Sequence, residues 1–271
     1  MSVAAEAPAS PFKGLSPFQD TELDALLFYG REREREVVVA NLLASRLTVL
    51  YGPSGVGKTS LLRAAVAQSL RRDHEAAVVV FSSWAGDPAG GLGEAIDAAA
   101  GIESSGTLAE RLAAASRAVG GDVCVILDQF EEYFLYQEGA AFGRELAEAI
   151  REPTLRANFL LGIREDALAK LDAFKGDLPN LFANYLRLDH LDRRGARAAI
   201  LGPVERYAEL TGEEVRVEPE LVDAVLDQVA AGKVDVGRAG RGGTETDEER
   251  IEAPYLQLVL ERLWEVERER E

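Results

Sequence analysis

Residues 52–59 read Gly52-Pro53-Ser54-Gly55-Val56-Gly57-Lys58-Thr59, filling every fixed position of the pattern G-x-x-x-x-G-K-[ST]. The surroundings agree with the pattern. A short apolar, partly β-branched run at 47–51 precedes it, and a helically spaced stretch from 59 to about 72 follows it. A strand, a glycine turn and a helix in that order let successive backbone N–H groups curl inward while the helix N-terminus adds its partial positive charge. The segment is thereby predicted to cradle phosphates, with Gly52, Pro53, Ser54, Gly55, Val56 and Gly57 as the loop. Lys58 would reach the β- and γ-phosphates, Thr59 would offer a hydroxyl to Mg2+, and Ser60 would donate to an α-phosphate. A chance glycine turn would explain neither flanking element.

The apolar period then switches between strand-like and helix-like for most of the chain, the pattern of a parallel sheet with crossover helices. Strands are predicted at 47–51, 76–81, 123–127, 158–163 and 185–188. The run 123–127 is apolar throughout, as a strand covered on both faces must be. Helices are predicted at 59–72, 88–100 behind the N-cap Asp87, 108–119 behind a Thr107/Glu110 capping box, and 142–151. Beyond Leu191 helical signals take over, at 192–210, 219–231 and from 254 to the end. The fold class is therefore α/β, a P-loop NTPase parallel five-stranded sheet flanked by helices, followed by a small all-helical lid domain. Residues 1–17, rich in Ala, Ser and Pro, read as a flexible lead-in, 18–190 as the nucleotide-binding core, and 191–271 as the helical domain. Within the last, the Gly/Thr/Glu-rich stretch 232–252 reads as a mobile loop, and the final helix, which has no stop signal, reads as cut from something longer.

Thirty basic residues face 47 acidic ones, a formal net charge of −17. Such a field repels phosphate backbones and anionic lipid, so neither nucleic acid nor a membrane is expected as a direct partner. No apolar run approaches the roughly 20 residues that span a bilayer. Cys124 alone cannot form an internal disulfide, and His74 and His190 make no ligand cluster, so a cytoplasmic setting fits.

A phosphate loop needs a carboxylate on a nearby strand end to hold magnesium through water, and Asp128, directly after 123–127, answers that need. A strand-end N-cap is the plainer role for the same residue. In Asp128-Gln129-Phe130-Glu131-Glu132, either Glu131 or Glu132 can polarise an attacking water if it points at the γ-phosphate, and the residues alone do not choose between them. An acidic pair of this kind is otherwise simply solvated. Arg164 ends the next strand, on the sheet edge where open α/β sheets bind ligands; it would sense a γ-phosphate, or else pair with Glu165 or Asp166 on the surface.

With these residues in place, the chain resembles the STAND class of P-loop ATPases, relatives of AAA+ proteins and of plant and animal NLR immune receptors, and in particular the bacterial branch of novel STAND NTPases. Phe28-Tyr29-Gly30-Arg31-Glu32 is similar to the class element that precedes the first strand and contacts the base, implying base-side roles for Tyr29, Gly30 and Arg31. Asp128-Gln129-Phe130-Glu131-Glu132 resembles the branch's acidic run, and Phe12-Lys13-Gly14-Leu15-Ser16-Pro17-Phe18 its leader. The stretch 253–264 resembles its Pro-Leu-Leu-Gln helix, which implies that Pro254 lies beside adenine. Gln129 departs from the second acid found in many relatives. The winged-helix domain with its ADP-sensing histidine, the sensor repeats and the effector domain of relatives are not represented in these residues, and sensor and effector domains count among the expected partners.

The resemblance implies an ATP/ADP switch: closed with ADP, exchanging to ATP on a signal, homo-oligomeric in the ATP state, and reset by slow Mg2+-dependent hydrolysis. Its setting would be bacterial signal transduction or anti-phage defence. The alternative is a constitutive AAA+-type ATPase that remodels protein or nucleic acid, for which Arg151, Arg193 or Arg194 would serve as a finger. A third reading, a binding module with a relic loop, sits poorly with the presence of Gly57, Lys58, Thr59 and Asp128 together.

Overall fold

Val123, Cys124, Val125, Ile126 and Leu127 are all buried, because the strand they form has a helical layer on each face. The computed structural model describes residues 8–137, 141–178, 180–231 and 250–270. Five strands, β1 (Leu47–Gly52), β2 (Ala77–Phe81), β3 (Val123–Leu127), β4 (Ala157–Arg164) and β5 (Tyr185–Arg187), pair in the order β2-β3-β4-β1-β5, and every pairing is parallel. The period of two sorts their side chains. Val49, Val79, Val125, Phe159 and Leu161 join one core, and Leu50, Val78, Cys124, Ile126 and Leu160 join the other.

Two helices precede the sheet, α1 (Glu22–Leu27) and α2 (Glu32–Ala44). Helix α3 spans 58–74 and widens to π geometry over Leu61–Ala67. It packs with α2 on one face of the sheet. The other face is covered by α4 (Pro88–Ala100), α5 (Leu108–Val119) and α6 (Ala141–Arg151), together with a 3-10 stretch at Glu165–Phe174. The Thr107/Glu110 capping box forms as read, and Asp87 caps α4 by accepting from Gly90 N. After β5 come α7 (Arg193–Thr211), α8 (Pro219–Val229) and α9 (Ala253–Arg268), whose inward residues Ile200, Val204, Leu226, Leu256 and Leu260 make a separate core. This helical part also carries a short antiparallel ladder between β6 (Ala230–Ala231) and β7 (Arg250–Ile251).

Two sequence expectations change. Of the stretch 232–252 expected to be a loop, 232–249 lies outside the described residues, while Arg250 and Ile251 are strand and Ile251 is fully buried. Of the expected lead-in, residues 1–7 lie outside the described residues, but 8–17 are seated rather than loose. Phe12 is buried in the core of the helical part, edge-on to Trp264 with ring centroids 6.3 Å apart. The Lys13 N–H donates to Gln257 Oε1 at 3.2 Å, and the Lys13 ammonium pairs with the buried carboxylate of Asp24 at 2.9 Å. One aromatic ring and one ion pair thus hold a segment whose composition alone reads as free chain.

Candidate functional site

Parallel pairing brings the ends of β1, β3 and β4 to one edge of the sheet, with Gly52 opposite Arg164 and Leu127 opposite Leu161. A cleft of about 270 Å³ opens there, bounded by the phosphate loop, the ends of β3 and β4, the leader 14–18, and the N-terminal turn of α9. Gly55 and Gly57 have φ of +76° and +94°, a region open to glycine at no steric cost, and these two residues give the loop its curl. Gly57 is the residue before α3, so the first N–H groups of that helix face the cleft.

Lys58 donates from Nζ to Gly52 O and Pro53 O, both at 2.8 Å, closing the loop on its own side chain. Burial lowers the Lys58 pKa, and the carboxylates of Glu131 and Asp128 work against that shift. Asp128 is almost fully buried and is pinned through its main chain. Its N–H donates to Phe81 O at 2.8 Å, and its carbonyl accepts from Trp84 Nε1 at 2.8 Å. Its Oδ1 accepts from Thr59 Oγ1 at 3.3 Å and from Gln129 N at 3.0 Å. Its Oδ2 has no hydrogen-bond partner among the described residues; the nearest cation is Arg63 Nε, 3.8 Å away. Burial pushes the Asp128 pKa up, opposed by the Thr59 hydrogen bond and by Arg63. A buried carboxylate oxygen with spare lone pairs, next to a threonine hydroxyl on the phosphate-loop helix, is the donor set that a hard divalent cation takes.

Gln129 adopts φ +54°, uncommon for a residue with a Cβ and costing about 1–2 kcal/mol. The kink sends Phe130 into the aromatic core against Trp84 and Tyr133, with centroids 5.1 and 5.2 Å away. It returns Glu131 to the cleft, where Oε2 accepts from Arg164 N at 3.2 Å. Glu132 does not line the cleft. Arg164 does, yet its guanidinium is paired side-on with Asp166, Nε to Oδ1 at 3.0 Å and Nη2 to Oδ2 at 2.6 Å.

Of the base-side residues expected from sequence, Tyr29, Arg31 and Pro254 line the cleft, as do Ser54, Gly55, Val56, Gly57, Thr59 and Ser60 of the phosphate loop and its helix. Pro254 lies over the loop, where a Cβ on Gly55 would come within 3.3 Å of its ring. Gly30, Gly52 and Pro53 do not line it. Gly30 instead permits close approach to α7, since a Cβ there would stand 2.2 Å from Gly195 O; Gly52 and Pro53 serve as carbonyl acceptors for Lys58. Arg31 spends its guanidinium on Val56 O, Asp189 O and Glu34, so from the cleft wall it braces the loop. The Ser60 hydroxyl accepts from Phe18 N at 3.2 Å and keeps its own proton to donate. The sequence reading did not assign the leader 14–18 or Gln257 to the site, and both line it; the segment resemblances at 12–18 and 253–264 were the available signal. Arg193 is tied to Asp223 and Asp227.

No helix among the described residues is long and apolar enough to cross a membrane. The architecture is that of ATPases in the ORC/Cdc6 and Walker-type groups. Cdc6p from Pyrobaculum aerophilum aligns with a TM-score of 0.56 at 15% identity, over 92% of this chain and 63% of that one. The Aeropyrum pernix ORC2 protein, solved as ADPNP-ADP complexes, aligns with a TM-score of 0.53 at 18% identity, over 73% of this chain and 55% of that one. A Walker-type ATPase of Pyrococcus abyssi gives 0.53 at 18%, over 82% and 68%. The chain thus spans little more than half the length of the ORC2 protein. No curated protein sequence matches it. The sequence model of Novel STAND NTPase 1 matches residues 11–271, running from the seated leader through the phosphate loop and the Asp128 strand to the proline helix over the cleft. On that match the chain belongs to the novel STAND NTPase 1 family.

Proposed function

We propose that this chain is an ATP/ADP-operated switch in which slow, Mg2+-dependent ATP hydrolysis restores the closed form. The observation that carries it is the meeting of Lys58, the Thr59–Asp128 pair and Glu131 in one cleft roofed by Pro254 from the helical part. The phosphate loop and Lys58 bind and orient the phosphates. Thr59 Oγ1 and the open Oδ2 of Asp128 are the oxygens suited to hold Mg2+, Asp128 through water, and the ion when bound supplies charge for the β- and γ-phosphate oxygens. Glu131, anchored by one carboxylate oxygen on Arg164 N–H, keeps the other for the proton of an attacking water. Tyr29 and Pro254 flank the base, and the helical part excludes water by covering the loop.

Because Pro254 and Gln257 belong to α9 while the loop belongs to the sheet core, a change at the phosphates is felt by how the two parts sit together. That coupling is the basis for closure with ADP, exchange for ATP and homo-oligomerisation in the ATP form. The family resemblance supports a setting in cytoplasmic bacterial signalling or anti-phage defence, with sensor and effector domains as partners. A net charge of −17 disfavours direct nucleic-acid binding, although one ORC1 protein of like fold was solved with DNA.

The test is the nucleotide released when purified protein is denatured, identified by ion-exchange chromatography and counted per chain. Close to one ADP per chain is expected, and none from Lys58→Ala. An empty protein that turns over added ATP steadily would replace the switch by a constitutive ATPase.

A further inference from the structure

Arg164 carries two separable contacts. Its main-chain N–H holds Glu131 Oε2 at 3.2 Å, while its guanidinium, at the far end of the side chain, lies flat against the Asp166 carboxylate. Both side chains of that pair are open to water, 44% for Arg164 and 66% for Asp166. Exposed ion pairs hold weakly, because each ion keeps most of its hydration and the pair is screened. Arg164 borders the cleft and Asp166 does not. The guanidinium can therefore leave Asp166 by side-chain rotation alone, without disturbing the main-chain hydrogen bond that places Glu131.

The register fixes what it would swing toward. Arg164 stands opposite Gly52, the first residue of the phosphate loop, and its charge is felt at Lys58 together with that of Asp166. A terminal phosphate dianion offers the same paired oxygens as a carboxylate, with more charge and in a less hydrated place, so it competes with Asp166 for the same face of the guanidinium. A diphosphate held by the loop and Lys58 has no third phosphate to make that offer. Glu165, one residue earlier, is occupied elsewhere, paired with Arg187 at 3.1 Å.

On the nucleotide-switch reading above, we infer that Asp166 is a positioning residue that competes with the third phosphate for Arg164, and thereby sets how strongly the site prefers a triphosphate over a diphosphate.

The experiment measures Kd for a non-hydrolysable ATP analogue and for ADP by calorimetry on the full chain. Asp166→Asn should tighten the triphosphate two- to fivefold, the size of effect an exposed ion pair can withhold, and leave ADP within about 1.5-fold. Glu165→Gln removes the same charge one residue away and should leave the ratio of the two constants unchanged. In an Arg164→Gln background the effect of Asp166→Asn should vanish. Equal tightening for both nucleotides, or an effect that survives without Arg164, would mean general electrostatics and overturn the competition while leaving the switch intact. A wild-type chain that binds neither nucleotide would overturn both readings.

Discussion

Burial raises the pKa of Asp128 and lowers that of Lys58, so the site keeps two groups where their charged forms are disfavoured. For Asp128 the folded pKa lies above the unfolded one, so its contribution to stability is present below the unfolded value and lost as pH rises through the folded one. At neutral pH the carboxyl therefore costs folding free energy. Asp128→Asn should raise Tm at pH 7 by about 2–4 °C, with the gain shrinking as pH falls through the raised folded pKa and gone by about pH 4, while the Mg2+-dependent part of nucleotide affinity is lost. Melting curves across pH and calorimetry with and without EDTA check the two halves. Glu131 and Glu132, adjacent in sequence, differ in surroundings, since only Glu131 reaches the cleft and holds Arg164 N–H. Glu131→Gln should slow phosphate release about 100-fold with ATP still bound, and Glu132→Gln should stay within twofold of wild type.

At the scale of elements, the close approach of β3, β4 and α3 depends on Gly162. A Cβ there would lie 2.9 Å from Leu62 Cδ1 and 3.4 Å from Asp128 Oδ1. Leu62 is fully buried and has little room to withdraw. Gly162→Ala should destabilise the fold by about 1–3 kcal/mol in denaturant titration and should also weaken Mg2+-dependent binding, because the same methyl crowds the carboxylate. The elements around it were legible for physical reasons: β3 is apolar throughout because it is covered twice, and α5 announces itself through Thr107 and Glu110. Helix α2 was not legible. Its first turn, Glu32-Arg33-Glu34-Arg35, is charged, and only Val38, Val39 and Leu42 are buried, too short an apolar stripe for the period to show.

For the whole molecule, the N-terminal leader, the sheet core and α9 are fastened together around the cleft. Phe12 fills the helical core, Lys13 bridges to Asp24 and Gln257, and Phe18 N reaches Ser60 on the phosphate-loop helix. Phe12→Ala should cost about 3–5 kcal/mol, the usual range for emptying an aromatic site, and should speed cleavage of the N-terminal segment by added protease. Thermal melting and limited proteolysis measure the two effects. Unchanged stability would mean that the leader is carried by the fold without supporting it.

By itself the sequence determined what short stretches of chain decide. Glycines at Gly55 and Gly57 followed by Lys58 and Thr59 dictate a phosphate loop, and the alternation of apolar periods dictates a parallel sheet, because both depend on backbone freedom and side-chain spacing within a few residues. Only the tertiary structure decided which glutamate faces the cleft, where the Arg164 guanidinium rests and what the leader packs against. The first turns on a single left-handed residue, Gln129, and the second on an exposed carboxylate two positions along. The third joins Lys13 to Gln257 across nearly the whole chain, a contact that exists only once sheet and helices have assembled and that no local pattern can encode.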